Sequence, residues 1–169
     1  DLVRSRGLGD VYKRQIMTNP LRGIREEDIV EYFKAHNLSV GKTYVLTMKY
    51  DPWWKDLIKL FLLPRLFYVA QSVDARIVAA TDNEFIVVNP NAILGSGNLA
   101  KLDDKHLHRI TWNQLTNFEV INKPTTQIIR FTANGKTEEW SVPTESASVW
   151  HFNVYNLDNL RKTIQSHIS

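Results

Sequence analysis

Cysteine is absent from this 169-residue chain, so disulfide frameworks, thiolate zinc sites, iron–sulfur clusters and cysteine nucleophiles are excluded. No apolar run approaches the roughly 18 residues that a membrane-crossing helix needs. HExxH, nucleophile-elbow and Walker sequences are missing too, which removes common signatures of zinc proteases, hydrolases and nucleotide-phosphate sites. No internal repeat or low-complexity tract interrupts the chain. What is present is 43% hydrophobic, 23% charged and 11% aromatic, the mixture of an ordinary folded domain, and the length argues for one such domain.

The net charge of +3 rests on the first residues. Positions 1–16, DLVRSRGLGDVYKRQI, follow neither apolar period and lack the continuous apolar stretch of a secretory signal. The string SRGLGDVYKRQ resembles a translated library adapter, and Met17 reads as a natural start. This leader holds four basic and two acidic residues, and the remainder carries 17 basic against 16 acidic. A basic arm for an anionic partner is the alternative reading of positions 1–16. With the remainder almost neutral, composition offers no case for a nucleic-acid partner.

Positions 17–41 read as an N-terminal helical segment. Between Arg25 and His36, Ile29, Val30 and Phe33 form an apolar stripe at helical spacing. Glu26, Glu27 and Asp28 suit the positive end of the helix dipole, and Asn37 is a natural stop. From Lys42 to Tyr50 the period changes to two, with Tyr44, Leu46, Met48 and Tyr50 alternating with Val45, Thr47 and Lys49, which predicts a strand. Further strands are predicted at Ala75–Ala80, Phe85–Val88, Arg109–Trp112, Thr116–Ile121, Gln127–Thr132 and Thr137–Val142. Thr81-Asp82-Asn83-Glu84 and Ala133-Asn134-Gly135-Lys136 supply the turn chemistry of two hairpins. Leu157, Leu160, Ile164 and Ile168 then mark an amphipathic closing helix, with Trp150 and Val154 extending the stripe backwards.

Seven strands followed by one amphipathic helix resembles the plan of a bacterial pleckstrin-homology-like (PH-like) domain. The local strings agree. Val78 to Val88 is similar to the family's Thr-[Asp/Asn] hairpin, and His108 to Val120 resembles its Ile-x-[Tyr/Trp] segment. Gln127 to Val142, carrying Asn134-Gly135-Lys136, is similar to the strand–turn–strand before the family's helix. The resemblance covers about residues 42–168 and implies an α+β fold: a bent antiparallel sheet or small barrel of about seven strands, capped by the C-terminal helix. The domain is thus drawn at 42–169, with an apolar insert at 51–74. Asn83-Glu84 stands where many relatives carry a basic pair, which speaks against an anion site on that hairpin.

That insert, between the first two strands, carries the functional signal. Asp51-Pro52 can open a helix, followed by Leu57, Ile58, Leu60, Phe61, Leu62 and Leu63 up to Pro64. Trp53, Trp54 and Tyr68 flank this apolar block, while Lys55, Lys59 and Arg65 are its basic residues. Indole rings favour the headgroup zone and lysine heads stay wet, so the segment has the composition of an interfacial membrane helix. Burying each Leu or Phe is worth about 1.5–3 kcal/mol, and each basic residue near an anionic surface adds roughly 1 kcal/mol. Lys49, Lys55, Lys59 and Arg65 against Asp51 and Asp56 leave a local surplus of two positive charges, so apolar insertion would contribute more than charge. In PH-like domains this inter-strand loop often contacts lipid headgroups, which the resemblance extends to the insert. The plain alternative is that the block packs against the protein's own sheet or first helix; a protein partner or self-association is a third.

Catalytic chemistry is thin. His106 and His108 would share a face on a strand but lack a third metal ligand. Glu138 and Glu139 should face opposite ways, unsuited to shared acid–base work. Trp112, Phe118, Phe131 and Trp140 read as core rather than as base-stacking platforms. The expectation is therefore a non-enzymatic module without metal or cofactor, docking through Trp53, Trp54, Lys55, Leu57, Lys59, Phe61, Arg65 and Tyr68. Its partner would be an anionic membrane surface or a protein, with a homo-oligomer left open. It would lie in the cytoplasm, at most peripheral to the inner face of the membrane. A small-barrel carrier of an apolar ligand, or a structural domain with no ligand, is the rival.

Overall fold

The computed structural model describes residues 24–49, 75–90, 99, 102–124, 126–144 and 150–168. Helix α1 (Glu26–Ala35) precedes seven strands: β1 (Tyr44–Lys49), β2 (Ala75–Ala80), β3 (Glu84–Val88), β4 (Leu107–Thr111), β5 (Leu115–Asn122), β6 (Gln127–Ala133) and β7 (Lys136–Val142). Helix α2 (Phe152–Ile168) closes the chain. The strands form one antiparallel sheet in the order β4-β3-β2-β1-β7-β6-β5. The sheet bends over itself, because inner-face side chains of β1–β3 and β5–β7 meet in one core. Phe85 of β3 lies edge-to-face on Phe131 of β6, with centroids 5.0 Å apart. Leu157, Leu160 and Ile164 of α2 join Val45, Val78, Ile129 and Trp140 in the same cluster. The α+β architecture, with a bent seven-stranded sheet, a capping C-terminal helix and a short N-terminal helix, is the one expected from the sequence.

Local chemistry sets the turns. Asn134 and Gly135 both take positive φ, at 52° and 74°, which is the backbone of a two-residue hairpin matching strand twist. Thr81 Oγ1 accepts the Asn83 and Glu84 N–H groups at 3.2 Å and so folds the β2–β3 turn. Asn37, at φ 55°, stops α1 in the left-handed region.

Although β1 alternates in sequence, Tyr44, Val45, Leu46 and Thr47 are all buried. The reason is α1. Its Ile29, Tyr32 and Phe33, with Ile24 and Trp150, cover the outer face of β1–β3 and form a second core with Tyr44, Leu46, Ile77 and Ile86. Buried on both sides, β2 and β3 have nearly continuous apolar sequences, as doubly covered strands do. Cross-links fix this layer: Tyr44 donates its hydroxyl to Glu26 at 2.8 Å, Trp150 Nε1 donates to the Ile24 carbonyl at 3.3 Å, and His36 Nε2 lies 2.8 Å from Asp104 Oδ1. One expectation needs correction: Val154 is 42% exposed instead of extending the α2 stripe. The inward position at the start of that helix belongs to Asn153.

Asn153 is fully buried and behaves as a piece of backbone. Its Oδ1 accepts the Leu46 N–H at 2.9 Å, and its Nδ2 donates to the carbonyls of Leu46 at 3.0 Å and Pro143 at 2.9 Å. Strands β1 and β7 pair at Met48–Ser141 and Lys49–Trp140, so the same register brings Pro143 opposite Leu46. Proline has no N–H to offer a ladder. The asparagine amide, carrying both a donor and an acceptor, takes the place of the missing peptide group.

Asn153→Leu would leave two buried backbone groups of Leu46 and the half-buried Pro143 carbonyl without this partner, so urea denaturation should show a loss of about 4 kcal/mol; a loss below about 1 kcal/mol would mean that water replaces the amide. A second expectation concerns alkali. Burial, reinforced by the Asp104 charge, pushes the Tyr32 phenol up to about 12, and burial with the Glu26 hydrogen bond raises Tyr44 as well. Both groups hold their protons longer folded than unfolded. Their stabilising contribution is therefore complete below about pH 10 and fades as the pH climbs toward 12. Tyr32→Phe should make the stability curve above about pH 10 shallower, as read by denaturant titration at a series of pH values.

Candidate functional site

Trp53, Trp54, Lys55, Leu57, Lys59, Phe61, Arg65 and Tyr68 lie outside the described residues. What the structure does describe is the frame from which the insert departs. The chain leaves at Lys49, which faces Trp140 across the β1–β7 ladder, and returns at Ala75, opposite Met48. Beside this exit, Arg76 points to the inner side of the sheet. Its guanidinium sits over the Trp140 ring, 4.8 Å from the centroid, and Nη1 donates to Asn89 Oδ1 at 3.0 Å. A cation held against an indole face in this way is attracted by the ring's quadrupole.

A cleft of about 690 Å³ opens between β4 and the β6–β7 hairpin. Val87, Ile110, Phe131 and Ala133 line its apolar part, and Arg76, His108, Arg109, Lys136 and Glu138 its polar part. The cations are held in place. Arg109 Nε donates to Glu84 Oε2 at 2.8 Å with a second contact from Nη2, and Lys136 Nζ lies 2.9 Å from Glu138 Oε1. Trp140 Nε1 donates to Glu138 Oε2 at 3.0 Å. Burial alone would raise the Glu138 carboxyl, but the hydrogen bonds from Lys136 and Trp140 outweigh it and hold the group below the usual range.

The remaining candidates are scattered. His106 falls in a one-turn 3₁₀ segment (Asp104–His106) while His108 is on β4, so the pair does not share a strand face. Among the described residues no three or more histidines and acids gather where a metal could be held. Glu138 faces the cleft and Glu139 the opposite side, where Arg130 binds it at 2.5 Å and Glu119 at 2.7 Å. Phe118, Phe131 and Trp140 are core residues. Trp112 lies in a 3₁₀ turn instead of a strand, stacks on His167 at 4.4 Å and donates to the Asp82 carbonyl. Sequence reasoning passes over Arg76; its one signal is a charge in an otherwise apolar strand, ARIVAA. Comparisons with family models, curated proteins and solved structures give no match.

Glu138 offers a check on this geometry. A carboxyl held low when folded stabilises the protein above the unfolded value, and that contribution disappears as the pH falls through the folded one. Glu138→Gln should therefore make stability less steep in pH below about 4.5, while leaving its slope near neutrality unchanged.

Proposed function

We propose that this chain is a PH-like docking module, not an enzyme, that attaches to an anionic membrane surface or a protein partner through the insert at 51–74. The observation that carries the reading is the double cover of β1–β3. The outer face of these strands is packed by α1, Ile24 and Trp150, and the inner face by the core shared with α2. The strands that the insert connects thus have little bare apolar surface left for Leu57, Ile58, Leu60, Phe61, Leu62 and Leu63 to cover. Apolar side chains of that number gain about 1.5–3 kcal/mol each from leaving water, which favours an external partner.

The Trp-flanked, lysine-bearing composition favours the membrane arm. Among the described residues no helix is long and apolar enough to cross a membrane. On this reading the protein works in the cytoplasm at the inner membrane face. A carrier function has less support, because Phe85, Phe118, Phe131, Trp140 and Leu160 occupy the space between the sheet halves where a ligand would lie.

Flotation with vesicles of phosphatidylcholine and phosphatidylglycerol tests it. The full chain should float, and the combined Trp53→Ser, Trp54→Ser, Leu57→Ser and Phe61→Ser variant should remain at the bottom. High salt should weaken binding only modestly, because roughly 1 kcal/mol per basic residue is the smaller contribution. Absence of flotation, or flotation unchanged by the four serines, removes the membrane arm.

A further inference from the structure

Asn134 and Gly135, the turn between β6 and β7, are both exposed and take φ values of 52° and 74°. The Asn134 N–H donates to the Gln114 carbonyl at 3.1 Å, which pins the turn on that side. Beyond this bond the turn is unrestrained. Neither the Asn134 carboxamide nor the Gly135 N–H is hydrogen-bonded among the described residues, and a Cβ placed on Gly135 would meet nothing within 4 Å. A main-chain nitrogen with no side chain beside it therefore follows a carboxamide that nothing holds. Asn-Gly occurs once in the chain. Every other asparagine precedes a residue whose side chain crowds that nitrogen, or a proline whose ring occupies it.

From this pairing we infer that Asn134 is a site of spontaneous deamidation, which turns a neutral residue of the cleft lining into a carboxylate. The Gly135 nitrogen attacks Asn134 Cγ and closes a five-membered imide. The bond from Cγ to the side-chain nitrogen breaks, and that nitrogen leaves as ammonia with the proton that Gly135 gives up. Water then opens the ring, at Cγ to give aspartate or at the main-chain carbonyl to give isoaspartate. One water is consumed and one ammonia released, with no change of oxidation state. Ring closure needs the peptide between the two residues to rotate out of its left-handed pairing, so the reaction runs through brief opening of the turn. The two products act differently. Aspartate keeps the hairpin, because Asp-Gly suits the same turn, and it adds a carboxylate to a lining that holds Arg76, Arg109 and Lys136 against Glu138. Isoaspartate adds a methylene to the main chain, and a two-residue turn has no slack to absorb it, so the pairs Ala133–Lys136 and Thr132–Thr137 lose their register. The inference uses none of the residues of the insert, so it stands or falls separately from the membrane reading.

The test is peptide mapping of the full chain after storage at mildly alkaline pH. Mass spectrometry of the tryptic peptide Phe131–Lys136 should show the amide exchanged for a carboxyl at least about tenfold faster than at the exposed Asn37, Asn113 and Asn117. Urea, by opening the turn, should speed the change at Asn134 by about tenfold. The isoaspartate form, separated by chromatography, should exchange the amide hydrogens next to the turn about tenfold faster than the fresh chain, whereas Asn134→Asp should match the fresh chain. The mapping uses the unmodified chain and stands whatever the variant does. The inference is overturned if Asn134 loses its amide no faster than the other three asparagines, if urea leaves the rate unchanged, or if Asn134→Asp loosens the hairpin as much as isoaspartate does.

Discussion

The arrangement of the two layers depends on one side-chain amide. Where β7 reaches Pro143, the ladder with β1 has no further donor to give, yet the Leu46 N–H and C=O lie buried and need partners. Asn153 meets both and also takes the Pro143 carbonyl. In doing so it fixes the first turn of α2 against the corner between the two halves of the sheet. The helix then has only one rotation about its axis in which Asn153 faces β1, and that rotation turns Leu157, Leu160 and Ile164 into the core and leaves Val154 and Tyr155 outside. An aliphatic residue at 153 would satisfy the helix period better and the backbone not at all. Buried polar groups are costly when unpaired, so this position gives up hydrophobic gain for a defined helix placement.

The second consequence is an asymmetry between the sheet's two halves. Outside β1–β3 lies α1, sealed by the Tyr44–Glu26 and Trp150–Ile24 bonds. Outside β5–β7 the cross-strand residues are Glu119, Arg130, Glu139, Thr132 and Thr137, which pair among themselves. The first half is closed by protein and the second is finished for water. The margins of the described fold are the point where the insert leaves β1 and the β4 edge of the sheet.

The strands and helices are legible because their periods and punctuation are strong. Asn134-Gly135, the Thr81 turn and the Leu157–Ile164 stripe each depend on contacts within a few residues, and the sequence displays those directly. Face assignments fail where the decisive partner is far away in the chain. The alternation in Tyr44–Lys49 marks a strand, but nothing local reveals that α1 will cover its second face. Tyr32, the largest buried side chain of α1, escapes a local reading for the same reason, which draws the stripe through Val30 instead. Asn153 is a still sharper case. Nothing local marks this asparagine, and only the register that sets Pro143 opposite Leu46 turns it into a backbone substitute. The apolar insert is conspicuous in composition, but where its side chains go is decided by what the rest of the fold leaves uncovered.

Arg76 links the two margins. It is the second residue after the insert rejoins the sheet, and it also reaches over Trp140 to line the cleft. Its neighbours are arranged in series: Asn89 holds the guanidinium from one side, Trp140 supports its face, and Trp140 in turn donates to the Glu138 carboxylate that binds Lys136. A shift of the Ala75 backbone would move the guanidinium across the indole, because Arg76 directly follows Ala75 at the start of the strand. Arg76 and the tryptophan beneath it thus stand between the insert's point of return and the cleft, so a ligand in either place that moved this guanidinium would alter the other place's affinity reciprocally.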